Sequence, residues 1–287
     1  MTITTRELDA RGMTFIVRES GPADGEPVLL LHGFPETSAS WTGLIPKLVA
    51  EGFRCVAPDQ RGYSPKARPE GIANYATDLI VEDAFAIADA CGFPPRFHLV
   101  AHDWGAGIGW RMVQRKPARI ASWTSLSIPH PASFGAAFRD DPEQQAKSQY
   151  IVMFQEPGAA EAMLGANDWA LLKAIWDKHS EAERAEYIER FTAPGAMTAA
   201  INWYRASFGA NQADASVTEF DVQTPTLTIW GNADQAVGRS TTVGQAQFMK
   251  GYNRFVELDA GHWLLQQKPD EVAAEVLAHL KTFPVDG

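Results

Sequence analysis

Short apolar runs of strand-like composition alternate along this chain with longer amphipathic stretches. The runs lie at 13–17, 27–31, 53–57, 96–100, 123–128, 225–230 and 254–258. Helix-length stretches separate several of them, at roughly 40–50, 75–91, 105–116, 237–251 and 269–280. Because neighbouring parallel strands are joined by crossover helices, this alternation predicts an α/β fold with a mostly parallel sheet covered by helices on both faces.

The alternation stops over one long segment, where strand signals disappear and helix formers dominate. Within it, the charged stretch 181–190 is typical of a solvated helix face with i,i+4 ion pairs. We therefore expect a helical cap, residues 131–217, inserted between two strands. The core would then consist of a first part, residues 1–130, and a second part, residues 218–287.

Charge and composition restrict the partners that the chain can have. Its 287 residues are 45% hydrophobic, enough to bury a large core, and 35 acidic against 25 basic residues give a formal charge of −10. This charge repels phosphate backbones and anionic lipids, so neither nucleic acid nor a membrane is an expected partner. The apolar runs are also too short to span a bilayer, and we expect a cytoplasmic protein.

The segment HLVAHDWGAG, residues 98–107, runs from an apolar strand into Asp103 and then into a helical pattern. Ala101 and Gly105 are small enough for a tight strand-to-helix turn, which would expose Asp103 at the helix N-terminus. Backbone N–H groups there stabilise a carboxylate or an oxyanion. The alternative interpretation is an ordinary helix N-cap, because Asp is a preferred capping residue.

Three further residues follow other predicted strands. The backbone N–H of Phe34 could face that of Trp104 and complete an oxyanion hole. Asp234 and His262 each come shortly after a later strand. Taken alone, Asp234 could be a turn residue and His262 a structural histidine. Their order after Asp103, however, is the nucleophile, acid and base order of α/β-hydrolases.

Seven motifs spread over nearly the whole chain carry a family resemblance. They are HGFPE (32–36), DQRGYS (59–64), HDWG (102–105), FQEPG (154–158), NWYR (202–205), WGNAD (230–234) and AGHW (260–263). On these motifs the sequence resembles the epoxide hydrolase branch of the α/β-hydrolase superfamily. The resemblance implies Asp103 as nucleophile, His262 as base and Asp234 as its orienting acid. It also implies that Tyr150 and Tyr204 donate hydrogen bonds to the epoxide oxygen.

The chemistry of a carboxylate nucleophile limits the class of substrate that the enzyme can attack. No G-x-S-x-G motif occurs in the chain, which argues against a serine esterase or lipase. A carboxylate that attacks an ester would form an anhydride, but on saturated carbon it displaces a leaving group and forms a stable alkyl ester. We expect water activated by His262 and Asp234 to hydrolyse that ester, while Phe34 and Trp104 hold the oxyanion.

The leaving group separates the possible functions. An opening epoxide develops an alkoxide, which needs O–H donors such as the two tyrosines. A halide prefers N–H donors, and Trp104 resembles the tryptophan beside the nucleophile of haloalkane dehalogenases, although those enzymes usually have Asn where this chain has Phe34. We expect an epoxide hydrolase, with haloalkane dehalogenase as the alternative. The intact set of nucleophile, acid and base argues against a third hypothesis, a non-enzymatic binding protein.

The remaining expectations concern ligands and assembly. Met153, with Phe34 and Trp104, is expected to contact a small apolar epoxide. The histidines show no paired metal-ligand spacing, so no metal is expected, and the mechanism requires no cofactor beyond water. The oligomeric state stays open, and a homodimer is compatible with the sequence.

Overall fold

The computed structural model describes residues 2–208 and 219–285, and this part of the chain contains a single eight-stranded sheet. The strands are Thr4–Ala10 (β1), Met13–Ser20 (β2), Glu26–Leu31 (β3), Phe53–Pro58 (β4), Phe97–His102 (β5), Ile120–Leu126 (β6), Thr226–Gly231 (β7) and Asn253–Leu258 (β8). Their order is β1-β2-β4-β3-β5-β6-β7-β8. β2 is antiparallel to β1 and β4, and the other neighbours are parallel. The sheet is therefore mostly parallel, as predicted.

Twelve α-helices lie in the described residues. They are Ile45–Ala50 (α1), Thr77–Ala90 (α2), Trp104–Arg115 (α3), Pro131–Asp140 (α4), Pro142–Lys147 (α5), Gln149–Met153 (α6), Ala159–Ile175 (α7), Glu181–Thr192 (α8), Ala196–Phe208 (α9), Arg239–Val243 (α10), Leu264–Gln267 (α11) and Pro269–Thr282 (α12). Six of them, α4 to α9, come between the paired neighbours β6 and β7 in the chain, as expected for a helical segment inserted between two strands. We call this helical segment the cap. Its predicted last residue, 217, lies outside the described residues, and the domain boundaries stay a prediction.

Alternate residues of the central strands face opposite sides of the sheet, because successive side chains on a strand point in opposite directions. In β3, Leu29 and Leu31 pack into a hydrophobic cluster shared with α2 and α3, whereas Val28 and Leu30 pack into one shared with α1 and α12. The central strands are therefore buried on both faces, which is why they read as continuous apolar runs.

Two elements differ from the expectation. β1 was not predicted, because most of its side chains are polar and exposed and only Leu8 and Ala10 are buried. The stretch 237–251 was predicted as one helix, but it forms the short α10 followed by a 3-10 turn at Gly244–Phe248. Glycine lowers helix propensity by about 1 kcal/mol relative to alanine, and Gly244 stands where the α-helix ends.

The carboxyl ends of the parallel strands meet at one edge of the sheet. Phe34 follows β3, Asp103 follows β5, Asp234 follows β7 and His262 follows β8. This topology is the physical reason why residues far apart in sequence converge, since ligand sites of open α/β sheets form at this edge. None of the helices in the described residues combines the length and hydrophobicity needed to cross a membrane.

Candidate active site

Asp103 sits on a strained turn between β5 and α3. Its backbone has φ 51° and ψ −124°, a conformation that non-glycine residues rarely adopt. The turn also requires close backbone approach: a Cβ atom at Gly33 would lie 2.3 Å from that of Asp103, and one at Gly105 would lie 2.2 Å from the carbonyl oxygen of Leu31. The small residues that the sequence places around Asp103 therefore make this conformation sterically possible.

The two oxygens of the Asp103 carboxylate have different partners. Oδ1 accepts a 2.7 Å hydrogen bond from the backbone N–H of Phe34, and Oδ2 lies 3.3 Å from Nε2 of His262. The backbone N–H of Trp104, the first residue of α3, also stabilises the carboxylate charge. The side chain is only 11% exposed. One oxygen is thus held by peptide donors while the other faces the histidine.

Asp234 fixes the opposite side of the His262 ring. Its Oδ2 lies 2.8 Å from Nδ1 of His262, and its Oδ1 accepts hydrogen bonds of 2.7 and 2.9 Å from the backbone N–H groups of Ala236 and Val237. Both carboxylate oxygens of this buried residue are therefore engaged. The arrangement fixes the ring orientation, with Nδ1 toward Asp234 and Nε2 toward Asp103.

Charges and hydrogen bonds within the site shift the pKa of Asp103 and that of His262. Burial alone would raise the pKa of Asp103, but the hydrogen bond and charge of His262 outweigh burial and hold the pKa below its usual value. Burial likewise would lower the pKa of His262, but the carboxylates of Asp234 and Asp103 raise it well above the usual value. Without a bound substrate, Asp103 and His262 therefore form a carboxylate and imidazolium pair.

Two tyrosines from the cap face the same space as Asp103. Tyr150 lies on α6 and Tyr204 on α9, with their ring centroids 6.0 Å apart. Burial, and then the negative charge of nearby groups including Asp103, raises the pKa of both hydroxyls. Both phenols therefore keep their protons and can act only as neutral hydroxyl donors or acceptors.

These groups open onto a cavity of about 640 Å³. Its lining residues are Ala76, Thr77, Asp78, Asp103, Trp104, Gly107, Arg111, Gln114, Ile128, Pro131, Phe134, Gly135, Phe138, Arg139, Tyr150, Ile151, Tyr204, Ser207, Phe208, Phe220, Ala236 and Val237. Most of this wall is apolar. The volume lies in the range of small-molecule sites.

Two side chains expected to contact substrate are placed differently. The side chains of Phe34 and Met153 are not among the described residues that line the cavity, contrary to the expectation from sequence. The Phe34 ring packs edge-on against Phe154 and Tyr204, and Met153 packs against the hydrophobic core. The residues of α6 that line the cavity are instead Tyr150 and Ile151. Phe34 thus contributes its backbone N–H rather than its ring.

A family model described as the alpha/beta hydrolase fold matches residues 26–269. The chain belongs to this family. It is 34% identical over 281 residues to the AB hydrolase superfamily protein YfhM of Bacillus subtilis, and the alignment covers 96% of both chains. It is also 32% identical over 321 residues to epoxide hydrolase A of Mycobacterium tuberculosis. That alignment covers 96% of this chain and 97% of the relative.

Solved structures agree with this assignment. The crystal structure of epoxide hydrolase A from Mycobacterium thermoresistibile superposes with a TM-score of 0.86 at 27% identity, covering 99% of this chain and 100% of that one. The chain is therefore a hydrolase of the epoxide hydrolase branch of the α/β-hydrolase superfamily, as its motifs predicted. The hypothesis of a non-enzymatic binding protein is set aside.

This α/β-hydrolase contains a buried polar cluster that sequence reasoning missed. The Glu36 carboxylate is fully buried, 3.1 Å from Nδ1 of His102 and 2.8 Å from Nε2 of His179. Burial would raise the pKa of Glu36, but these two hydrogen bonds outweigh burial and lower it. The other ring nitrogen of His102 lies 2.9 Å from the carbonyl oxygen of His262. The cluster thus connects the cap to the backbone of the candidate base.

A second missed contact joins the cap to the loop of the candidate acid. Gln144 on α5 is fully buried; it accepts from the N–H of Gly238 at 2.7 Å and donates to the carbonyl of Ala236 at 2.9 Å. Nearby, the Lys147 ammonium donates to the carbonyl of Asp234 at 2.7 Å. These side chains hold the Asp234 loop against α5. In residues 2–208 and 219–285, no cluster of three or more His, Cys, Asp or Glu side chains is arranged to bind a metal ion.

Proposed function

We propose that this chain is an epoxide hydrolase that opens a small apolar epoxide to a vicinal diol through an ester on Asp103. One observation carries the proposal: the Asp103 carboxylate and the phenols of Tyr150 and Tyr204 line a single, mostly apolar cavity. A nucleophile for saturated carbon and two O–H donors for a departing oxygen are the groups that epoxide opening needs. Relatives named as epoxide hydrolases support the same activity.

In the first step, Oδ2 of Asp103 attacks one carbon of the epoxide and its bond to the ring oxygen breaks. Oδ1 stays bound to the N–H of Phe34, which leaves Oδ2 as the attacking atom. The ring oxygen develops negative charge and accepts hydrogen bonds from Tyr150 and Tyr204. Donors that are already oriented in a buried site stabilise such a charge strongly, because they need little reorganisation.

Formation of the ester prepares His262 for the second step. The ester carries no charge, so the interaction with Asp103 that helped to raise the pKa of His262 disappears. The imidazolium then gives up a proton, and this proton neutralises the alkoxide released by the epoxide. Neutral His262, oriented by Asp234, becomes a base for water.

Water then hydrolyses the ester by attack on the carbonyl carbon of Asp103. The oxyanion develops on Oδ1, where the peptide N–H groups of Phe34 and Trp104 stabilise it. One proton of the water ends on the leaving diol oxygen and the other on His262. The carboxylate and imidazolium pair is thereby restored, and every proton is accounted for.

The direct test is a comparison of substrates and leaving groups. The purified protein is incubated with aryl and alkyl epoxides and with haloalkanes of matched carbon skeleton, and diol and free halide are measured. We expect diol from epoxides and none from the matched Asp103→Ala variant, which lacks the carboxylate. Halide release without any diol formation would instead favour a haloalkane dehalogenase.

A further inference from the structure

The backbone of the loop after β7 is bound from two sides. In this loop, which we call the acid loop (residues 234–238), Oδ1 of Asp234 accepts hydrogen bonds from two backbone N–H groups, at 2.7 and 2.9 Å. From the cap, the side-chain amide of Gln144 binds the carbonyl of Ala236 and the N–H of Gly238. The candidate acid is therefore held both by its own loop and by the cap.

The Gln144 side chain is fully buried, and its three partners determine which way the amide faces. Oε1 accepts from the N–H of Gly238 at 2.7 Å, while Nε2 donates to the carbonyl of Ala236 at 2.9 Å and to the hydroxyl of Ser148 at 2.8 Å. Because an N–H needs an acceptor and a carbonyl needs a donor, turning the amide over would break both contacts with the acid loop. Removal of the amide would leave the buried N–H of Gly238 without its partner, which is costly unless the loop moves.

The third partner of Gln144 connects the acid loop to a second candidate catalytic group. Ser148 is the N-cap residue of α6, and Tyr150 is the second residue of that helix. The backbone N–H of Ile151 donates to the carbonyl of Ser148 at 2.9 Å, so the first turn of α6 begins at Ser148. A single side chain thereby joins the loop that carries Asp234 to the helix that carries Tyr150.

We propose that Gln144 is a positioning residue that aligns Asp234 for ester hydrolysis and Tyr150 for ester formation. The inference rests on the proposed epoxide hydrolase activity and assigns a role in it to a residue outside the cavity lining. Asp234 orients His262 through its 2.8 Å contact with Nδ1, so displacement of the acid loop would leave the base misaligned. A misplacement of about 1 Å in a catalytic group can cost about a hundredfold in rate.

The main test measures the two steps separately in Gln144→Met. Methionine keeps the length of the side chain but has no N–H donor and only a weak acceptor. With an epoxide that the wild-type protein hydrolyses, pre-steady-state experiments should show ester hydrolysis slowed by about ten- to a hundredfold. We expect no complete loss, because the Lys147 ammonium still donates to the carbonyl of Asp234. Ester formation should slow by a smaller factor, because Tyr204 is unchanged as a second donor.

Two further variants identify the contacts responsible. Ser148→Ala removes the hydroxyl that joins Gln144 to α6 but keeps both contacts of the amide with the acid loop, so it should slow ester formation alone. Gln145→Met changes the neighbouring position on α5, where the side chain is exposed and donates to the carbonyl of Arg139 within the cap. This matched control should leave both steps at the wild-type rate.

The rates of the two steps decide between the outcomes. Wild-type rates of both steps in Gln144→Met would overturn the inference, and wild-type ester formation in both Gln144→Met and Ser148→Ala would overturn its link to Tyr150. Circular dichroism establishes that each variant is folded. If Gln144→Met does not fold, Gln144→Ala takes its place, because the smaller side chain leaves space for water to bind the two backbone groups.

A measurement without substrate separates failure of this inference from failure of the proposed function. The carboxylate of Asp234 raises the pKa of His262, so displacement of Asp234 should lower this pKa. NMR titration of the imidazole nitrogens should therefore give a lower His262 pKa in Gln144→Met than in wild-type protein or Gln145→Met. If no epoxide is hydrolysed but this difference is found, the proposed activity is wrong and the alignment of Asp234 by Gln144 stands. If epoxides are hydrolysed and the three titrations agree, the inference is wrong.

Discussion

The backbone N–H of Phe34 donates a 2.7 Å hydrogen bond to Oδ1 of Asp103. This contact gives the two carboxylate oxygens different environments before a substrate arrives. Oδ1 has a peptide donor, as an oxyanion requires, and Oδ2 lies 3.3 Å from Nε2 of His262. The asymmetry determines where each oxygen atom should be found after one turnover.

A single turnover in H₂¹⁸O should place label in the Asp103 side chain. Water attacks the carbonyl carbon of the ester, so one carboxylate oxygen is replaced, while the diol receives an oxygen that came from Asp103. Excess enzyme is mixed with an epoxide, and the peptide that contains Asp103 is analysed by mass spectrometry. Enzyme incubated without substrate is the control. Label in the first-turnover diol with none in Asp103 would exclude an ester on this residue.

The same scheme separates the roles of the nucleophile and the base. His262→Gln should permit ester formation, with solvent water in place of His262 supplying the proton that neutralises the alkoxide. Hydrolysis should stop, because the amide cannot accept a proton from water. The intact protein should then gain the mass of one substrate molecule, and steady-state diol formation should fall by about a hundredfold or more. The double variant Asp103→Ala/His262→Gln should gain no mass. Wild-type turnover by His262→Gln would remove this residue from the mechanism.

The charge coupling between Asp103 and His262 can be measured without a substrate. Asp103→Asn removes a negative charge that raises the pKa of His262, so the pKa of this histidine should fall. NMR titration of the imidazole nitrogens reports it directly. Asp78→Asn, which removes an equal charge from another residue that lines the cavity, serves as control and should shift the His262 titration less. An unchanged titration in Asp103→Asn would contradict the charge coupling on which the second step depends.

The pH dependence of kcat/KM follows from the same pair. The pKa of Asp103 lies below its usual value, so the free enzyme should keep its nucleophile ionised at pH values where an ordinary aspartate, with a pKa of about 3.9, begins to take up protons. The acidic limb of kcat/KM should therefore lie below about pH 4 for a stable epoxide. Circular dichroism at each pH checks that the protein is still folded. An acidic limb above this value would mean that another group controls the first step.

The convergence of Asp103, Asp234 and His262 could be predicted because each residue follows a strand that can be recognised by its apolar composition. Parallel strands end at a common edge, so chain order alone brings the three residues together. The strand β1 could not be predicted in this way. Most of its side chains are polar and exposed, and only two are buried, which is typical of an edge strand.

Contacts between the cap and the core could not be predicted from the sequence. Glu36 and His179 meet across 143 positions, and Gln144 meets Gly238 across 94. Such pairs depend on how α5 and the residues after α7 pack onto the core, and no periodicity in the sequence encodes that orientation. The same limit explains why Met153 was expected to line the cavity and does not. The helix α6 has only five residues, too few for a pattern to indicate which side faces the cavity.

The pair Tyr150 and Tyr204 offers the sharpest separation between the two candidate leaving groups. When Asp103 opens an epoxide, nearly a full negative charge develops on an oxygen inside a buried cavity, and the two hydroxyls are the proposed donors. Each single Tyr→Phe change should slow ester formation by about ten- to a thousandfold, because one donor remains. The double variant should be nearly inactive, and the two losses need not add.

Rates of ester formation measured before the steady state test this expectation. A departing halide needs no proton, so under the dehalogenase alternative both tyrosines should be dispensable and Trp104→Phe, which removes the indole N–H, should be the damaging change. Phe134→Leu, a change in the apolar wall, is the matched control for altered packing in the cavity. Circular dichroism establishes that each variant is folded. If the folded double tyrosine variant forms the ester on an epoxide at the wild-type rate, the two hydroxyls do not stabilise the departing oxygen, and another donor in the cavity must be sought.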